Sequence, residues 1–404
     1  MTQVRTLHCD IVILGGGVAG LWLLDDLRRR RYRALLLEAG ALGGVQTLAS
    51  QGMIHGGIKY SLAGALSGAS EAIAGMPAYW KRCLAGEATP DLRAARVLSE
   101  HFYLWSSRAT GSRLTAFLAS KAVRGRVERV APAARPPLFR EPGFGGQLYR
   151  LVDLVLDVPS LVAALAAPWQ ESIFSLAGAA HSWERGGAGE PVLHLSAGGE
   201  RWRLAPQAFV CAAGAGNAAL LAELGAAAPA MQRRPLHQVM VRHRYPHPLH
   251  GHCLGRETTP RLTVSSHPCG NGEQVWYLGG GLAEEGVDMV PEALIERAQR
   301  ELAELLPWVA LGEGARWATW KVDRAEPRQR GLVRPDQAFA EWADCPGNAL
   351  IAWPTKLTLC PNLAQQVAER LAARGIVPGD GAPPVLPLDR PPHARTPWQE
   401  AFGD

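Results

Sequence analysis

Residues 9–38 read CDIVILGGGVAGLWLLDDLRRRRYRALLLE, and the way this stretch folds decides the rest of the chain. Cys9 to Leu14 is a short, mostly apolar, β-branched run of the kind that becomes a buried parallel strand. It passes directly into Gly15-Gly16-Gly17-Val18-Ala19-Gly20, a G-x-G-x-x-G. Leu21 to Arg31 reads as a helix: Leu21, Leu24 and Leu27 are at helical spacing, and Arg28 to Arg31 suit the negative pole of the helix dipole. A second apolar run, Ala34 to Leu37, ends on Glu38, eighteen residues past Gly20.

Each part has a physical task. Gly15 permits the tight turn, Gly17 lets backbone approach a pyrophosphate, and Gly20 lets the helix pack close on the strand. The helix N-terminus offers unpaired N–H groups to phosphate oxygens, and Glu38 can accept hydrogen bonds from a ribose 2′-OH. Glycine turns are common by themselves. A strand before, a helix after and an acid ending the next strand make this one a specific signal for an adenine dinucleotide.

At 404 residues the chain can bury a large core and is expected to form two lobes. With 47% hydrophobic and 20% charged residues, and a mean hydropathy of −0.04, its composition is that of a globular protein in water. The net charge of +5 comes without a basic stripe interleaved with aromatics, so no nucleic-acid partner is expected. Seven scattered cysteines with no C-x-x-C point to reduced thiols in a cytoplasmic protein, not to a disulfide frame or a zinc site. The first apolar run is broken by the glycine loop and does not read as a signal peptide. Phe209 to Met231 is long and apolar, but Gly214, Gly216, Asn217 and Gly225 divide it into a strand, a turn and a short helix, so no transmembrane segment is expected. Peripheral membrane contact stays open.

After Glu38 comes Leu42 to Tyr60, LGGVQTLASQGMIHGGIKY. Its glycines and small polar residues suggest a loop held close to a ligand, with Thr47, Ser50 and Gln51 as donors for phosphate or ribityl oxygens. His55-Gly56-Gly57 sets a titratable ring where its neighbours cannot crowd a planar partner; an ordinary turn with a surface histidine is the alternative.

Gly15-x-Gly17-x-x-Gly20, Glu38 and Gly52-Met-Ile-His-Gly-Gly57 followed by Tyr60 together resemble the D-amino-acid oxidase superfamily of FAD enzymes. That group includes glycine and sarcosine oxidases, glycerol-3-phosphate dehydrogenases and 2-hydroxyglutarate oxidases, and Ile54 to Gly57 is most similar to the last two. The resemblance runs from residue 9 to about residue 371. It implies an α/β Rossmann-like FAD-binding domain of the glutathione-reductase type 2, with an α+β substrate domain built on an antiparallel sheet. The expected boundaries are 1–80, 145–225 and 320–377 for FAD binding, 81–144 and 226–319 for the substrate or cap domain, and 378–404 for an extended proline-rich tail.

The resemblance also implies roles. His55, on the Gly52 segment, would lie near flavin N5. The strand beginning at Ile173 would pass the adenine, and the turn at Gly214 and Gly216 would be the second dinucleotide contact. Trp317 to Arg324 is similar to the strand that returns to the flavin, with Arg324 and Lys321 as candidate anion contacts and a structural ion pair as the alternative for each. Gly331 to Asp336 resembles a G-x-x-R-P segment. Thr355, Lys356, Leu357 and Thr358 form the turn that would bring backbone N–H groups, a helix N-terminus and the Lys356 charge to flavin N1 and O2. The superfamily more often has glycines there, so Pro354-Thr355-Lys356 is a departure.

The function so implied is hydride transfer from a C–N or C–O bond of a small anionic amine or hydroxy substrate to flavin N5. His55, Lys356 and Arg324 would be catalytic, with Tyr60, His267, Tyr277 and Arg324 facing the substrate. FAD is expected to be non-covalent, with Cys360 a packed helix residue, and the electron acceptor to be O₂, a quinone or an electron-transfer protein. The alternatives are a flavin-dependent monooxygenase or tailoring oxidase on a larger molecule, a flavin-dependent RNA-modifying protein, and a flavin-binding subunit without turnover. Six histidines crowd between 237 and 267, without metal-binding spacing, and read as a polar wall, not a metal site.

Overall fold

The computed structural model describes residues 4–57, 73–106, 127–254, 259–330, 335 and 337–403. Its centre is a six-stranded sheet in the order Ile173–Ser175, Ala34–Glu38, Ile11–Leu14, Ala208–Cys211, Ala349–Trp353, Phe339–Trp342. The first five strands are mutually parallel and Phe339–Trp342 is antiparallel to its neighbour. Every residue of Ile11–Leu14 is buried, as its unbroken apolar run requires.

The helix after the glycine loop is Val18–Arg29, three residues earlier at its start than the leucine spacing predicts. The loop itself forms the first turn, since Leu21 N–H donates to the Gly17 carbonyl at 3.0 Å. Arg29 and Arg30 at its far end pair with Asp25 and Asp26 one turn back. This helix packs with Val158–Ala166 and Cys360–Ala373 on one face of the sheet. A four-stranded sheet (Val4–Leu7, Glu200–Leu204, Pro191–Ala197, Ala180–Arg185) covers the other face through Leu193, Leu195, Trp202 and Leu204.

The second lobe is an eight-stranded sheet in the order Arg316–Pro327, Met231–His243, Glu273–Gly279, Leu262–Gly270, Gly251–Leu254, Phe102–Ser106, Leu148–Leu151, Val127–Arg129. Side chains alternate across it. Val239, Val241, Val264, Trp276 and Leu278 pack under the helix Pro291–Leu305. Tyr277, paired with Ser265 and with Met240, belongs to the opposite face, which meets the first lobe where the Tyr277 hydroxyl lies 3.2 Å from the Ala49 carbonyl oxygen.

Three expectations change. By sequence Leu92 to Ser106 suggests helices or helix–loop pieces, yet Val97–Ser99 and Phe102–Ser106 are strands. Phe102-Tyr-Leu-Trp105 is an aromatic run that suits a pleated surface, and it pairs on both sides, with Leu148–Leu151 and Gly251–Leu254. Leu148–Leu151, inside the piece expected from 145, and Arg316–Pro327, which the expected boundary at 320 divides, are strands of this large antiparallel sheet.

The third change is the C-terminal segment, which is packed, not a loose extended tail. Gly379 N–H donates to Asp10 Oδ2 at 2.9 Å, and further on Thr396 and Gln399 form a capping box for the helix Pro397–Phe402. Trp398 in that helix is buried and stacks on the His267 ring at 4.4 Å and 27°. Proline pre-sets an extended backbone, and other elements supply its hydrogen-bond partners, so the strap needs no periodicity of its own.

His237, His243, His252 and His267 lie in strands of the large sheet and His247 and His250 in the connection before Gly251; among the described residues no group of three or more His, Cys, Asp or Glu side chains is placed to hold a metal ion. Burial pushes His267 down to about 3 and His243 to about 4; burial, with the neighbouring His267 and His101, takes His250 to about 3. The unfolded chain takes up these protons near pH 6.5 and the folded chain does not, so stability falls as pH drops below 6.5. Each imidazole contributes up to about 1.4 kcal/mol per pH unit. The melting temperature is therefore expected to decline steeply from pH 6.5 to 4.5, and less so in His267→Gln. A flat profile for the wild type would contradict the neutral, buried assignment.

Candidate functional site

The glycine loop is sterically determined. Gly15 has φ +112° and an added Cβ would lie 2.7 Å from Ala213 Cα, while a Cβ on Gly20 would collide with the Gly15 carbonyl oxygen. Gly17 caps the helix with extended backbone and has no side chain to cover its N-terminal turn. Thr47 Oγ1 accepts from Val18 N–H at 3.1 Å, so its hydroxyl stands at this helix end. Glu38 ends its strand with one carboxylate oxygen on Gly16 N–H and the other on Gly40 N–H, the latter at 2.7 Å.

The segment after Glu38 is stitched to the second lobe. Ala325 N–H donates to Gln46 Oε1 at 3.0 Å, and Gln51 Nε2 donates to the Tyr277 carbonyl at 2.9 Å. The Ser50 hydroxyl is buried without a hydrogen-bond partner among the described residues, a polar group that an oxygen-rich ligand would satisfy. Gly52 has φ +68°, and a Cβ there would run into the Leu156 carbonyl oxygen. These features fit a dinucleotide whose phosphates and polyol chain pass from Gly17 towards His55.

Half-buried His55 then meets the last motif. Its N–H donates to Thr358 Oγ1 at 2.9 Å, and the Thr358 carbonyl accepts from Trp80 Nε1 at 3.1 Å. The Pro354–Thr358 turn keeps a left-handed residue without glycine: Thr355 has φ +60°, a conformation that costs a β-branched residue about 1–3 kcal/mol. Its hydroxyl donates to the Gln337 carbonyl at 2.8 Å, which holds the turn. Lys356 is buried, Leu357 and Thr358 open a short 3₁₀ turn, and the helix from Cys360 follows, with the Cys360 thiol buried in its first turn.

Gly214 has φ +56° in the second turn and accepts from Trp353 Nε1 at 3.0 Å. Ile173 begins the edge strand beside Ala34–Glu38. Arg324 lies in Arg316–Pro327, with Nη2 3.5 Å from Glu284 Oε1; Lys321 pairs across strands with His237. His267 and Tyr277 are fully buried. Trp398 covers the first, and the Tyr277 hydroxyl donates to Gln238 Oε1 at 2.7 Å. Tyr60 and residues 331–334 and 336 lie outside the described residues.

Sequence reasoning missed Asp153 and Asn217. Asp153, buried, accepts from Gly56 N–H at 2.8 Å and holds the His55-Gly56-Gly57 backbone. Asn217, buried, accepts from Ala213 N–H at 2.9 Å and donates to the Ala352 carbonyl at 3.3 Å, tying the second turn to the central sheet. An acid interrupting the apolar run Leu151 to Leu156 was the available signal for the first.

Comparison with known proteins gives consistent results. The family model for FAD dependent oxidoreductases, DAO, matches residues 10–321. The FAD dependent oxidoreductase PA4991 from Pseudomonas aeruginosa is 50% identical over 400 residues, covering 98% of this chain and 99% of its own. Its crystal structure aligns over 100% of both chains at 45% identity with a TM-score of 0.83. Glycine oxidase from Geobacillus kaustophilus shares the fold at 20% identity, with a TM-score of 0.62 over 93% of this chain and 100% of that one. So does L-α-glycerophosphate oxidase from Mycoplasma pneumoniae, solved with FAD bound, at 13% identity and TM-score 0.62 over 90% and 95% of the two chains.

Proposed function

The chain belongs to the DAO family of FAD-dependent oxidoreductases, and from that premise we propose that it oxidises a C–N or C–O bond in a small anionic amine or hydroxy compound. The observation that carries the reading is the junction at Thr358. One hydroxyl joins the Ile54–Gly57 segment to the Pro354–Thr358 turn, 303 residues away in sequence. FAD, when bound, supplies the two-electron acceptor. Gly15, Gly17, Gly20, Glu38, Thr47, Ser50, Gln51 and Gly52 would hold it, with Ile173, Gly214 and the residues Thr355 to Thr358.

The chain's own residues divide the remaining work. Lys356 sets a cation in a buried turn that leads into a helix N-terminus, and both favour negative charge there. Arg324 orients the anionic group of the substrate, because a guanidinium can hold a carboxylate or phosphate at two points. His55, whose backbone is pinned on Thr358 and whose neighbour is pinned on Asp153, lines the reacting end.

Anaerobic bleaching of the bound flavin by amino acids, N-methyl amino acids, 2-hydroxy acids and polyol phosphates tests the substrate class. Bleaching by an anionic member of this panel is expected, and none by any of them would remove the reading. Reoxidation of the bleached protein by O₂, a quinone or an electron-transfer protein identifies the acceptor. Lys356→Met is expected to lower the flavin potential and to slow bleaching by about tenfold, with substrate affinity changed far less, since the charge it balances develops only as the flavin is reduced. Wild-type potential and rate in that variant would take Lys356 out of the site.

A further inference from the structure

We infer that residues 389–394 of the C-terminal strap form a wall of the FAD site on its adenosine side, so that FAD retention and docking of the strap are coupled. The inference rests on the FAD reading above and adds to it a segment that no glycine motif indicates.

The edge strand Ile173–Ser175 is where an adenine was expected to pass, and the strap already occupies its outer edge. Arg390 Nη1 donates to the Ile173 carbonyl at 2.9 Å, and Ser175 N–H donates to the Asp389 carbonyl at 2.8 Å. The Arg390 guanidinium also lies over the Phe174 ring, 5.3 Å from its centroid. Ser175 stands level with Glu38 in the neighbouring strand, and Leu176 N–H donates to the Glu38 carbonyl at 2.8 Å. The strap therefore begins one strand away from Glu38, whose carboxylate is suited to the ribose.

It then runs to the phosphate end. Leu42 N–H donates to the Pro392 carbonyl at 2.8 Å and Ala394 N–H to the Leu42 carbonyl at 3.0 Å. Leu42 is itself the neighbour of the glycine loop: its Cδ2 lies 2.6 Å from where a Gly16 Cβ would sit, and Gly43 N–H donates to the Gly16 carbonyl at 2.9 Å. Asp389, Arg390, Pro392 and His393 are exposed, while Pro391 is buried and Ala394 packs on the core of the first lobe. Past it, Trp398 stacks on His267 and Phe402 lies under Arg316, 5.3 Å away, which anchors the strap on the second lobe. A segment fastened to both lobes and lying along Glu38 and Gly16 borders the adenosine and pyrophosphate. By linkage, whatever it contributes to holding FAD, FAD returns to its docking.

The test uses FAD release, followed by the fluorescence of freed flavin, and amide hydrogen exchange. Arg390→Gln and Trp398→Ala are each expected to speed release by about tenfold, and a chain ending at Val377 by more. In the unaltered chain, the amides of Leu42, Ser175 and Ala394 are expected to exchange more slowly with FAD than in the apoprotein. Wild-type release from a folded truncated chain would overturn the inference. If the truncated chain does not fold, the exchange measurement decides, and equal exchange at the three amides with and without FAD would overturn it as well. Full-length protein that takes up no FAD would remove the reading beneath it, an outcome distinct from tight FAD binding that ignores the strap.

Discussion

Gly17→Leu is expected to give a folded protein that has lost its yellow colour. Gly17 has φ −72° and ψ 178°, extended backbone that any residue adopts, and the one atom a Cβ would approach is Thr47 Oγ1 at 3.1 Å. The new side chain would project into the space that a pyrophosphate needs at the helix N-terminus. The affinity for FAD should fall by at least two orders of magnitude, about 3 kcal/mol, with the apoprotein melting within a few degrees of the wild-type apoprotein. Gly20→Ala offers the contrast. Its Cβ collides with the Gly15 carbonyl oxygen, so that variant should lose stability as well as colour. A Gly17→Leu protein that binds FAD stoichiometrically at wild-type affinity would mean that the phosphates lie elsewhere.

Arg324→Leu carries the second large effect. An orienting guanidinium contributes through two charge-assisted hydrogen bonds and through alignment of the reacting carbon, so its loss should reduce kcat/KM by about 100- to 1,000-fold, roughly 3–4 kcal/mol. An anionic inhibitor should weaken in parallel while thermal stability stays nearly intact. The competing role is the ion pair with Glu284, whose side chain is 40% exposed at a separation of 3.5 Å. A pair that open to water contributes at most about 1 kcal/mol, so it cannot account for a large kinetic loss. Glu284→Gln is the control and should leave inhibitor affinity unchanged. Titrating an anionic analogue against the flavin spectrum separates the two roles: unchanged affinity in Arg324→Leu, with a lowered melting temperature, would assign the arginine to structure.

Much of the site was legible from its glycines. Gly15, Gly20 and Gly52 each stand where a side chain meets backbone or where φ is positive, and such positions announce themselves one residue at a time. The turn before Cys360 shows how far that legibility extends. Its left-handed position is filled by Thr355, and the hydroxyl bond to the Gln337 carbonyl that helps hold it comes from a residue 18 positions away. The proposed substrate wall was harder still. The resemblance implies that His267 and Tyr277 face the substrate, but Trp398 lies over the first and Gln238 holds the second. Nothing in either strand's own sequence carries those partners.

The sequence by itself determined the strand, glycine turn, helix and acid of residues 9–38, with the FAD fold class that follows, because each of those signals acts within a few turns of backbone. Tertiary structure alone decided which sheet takes Phe102–Ser106 and Leu148–Leu151, since an aromatic strand acquires its place from the partners that reach its edges. It also decided that residues 378–403 are a packed strap, with a proline-rich backbone hydrogen-bonded to Asp10, Ser175 and Leu42, residues hundreds of positions earlier. Contacts of that range lie in no local pattern; they exist because a chain folded around its central sheet must find a partner for every buried N–H and carbonyl group.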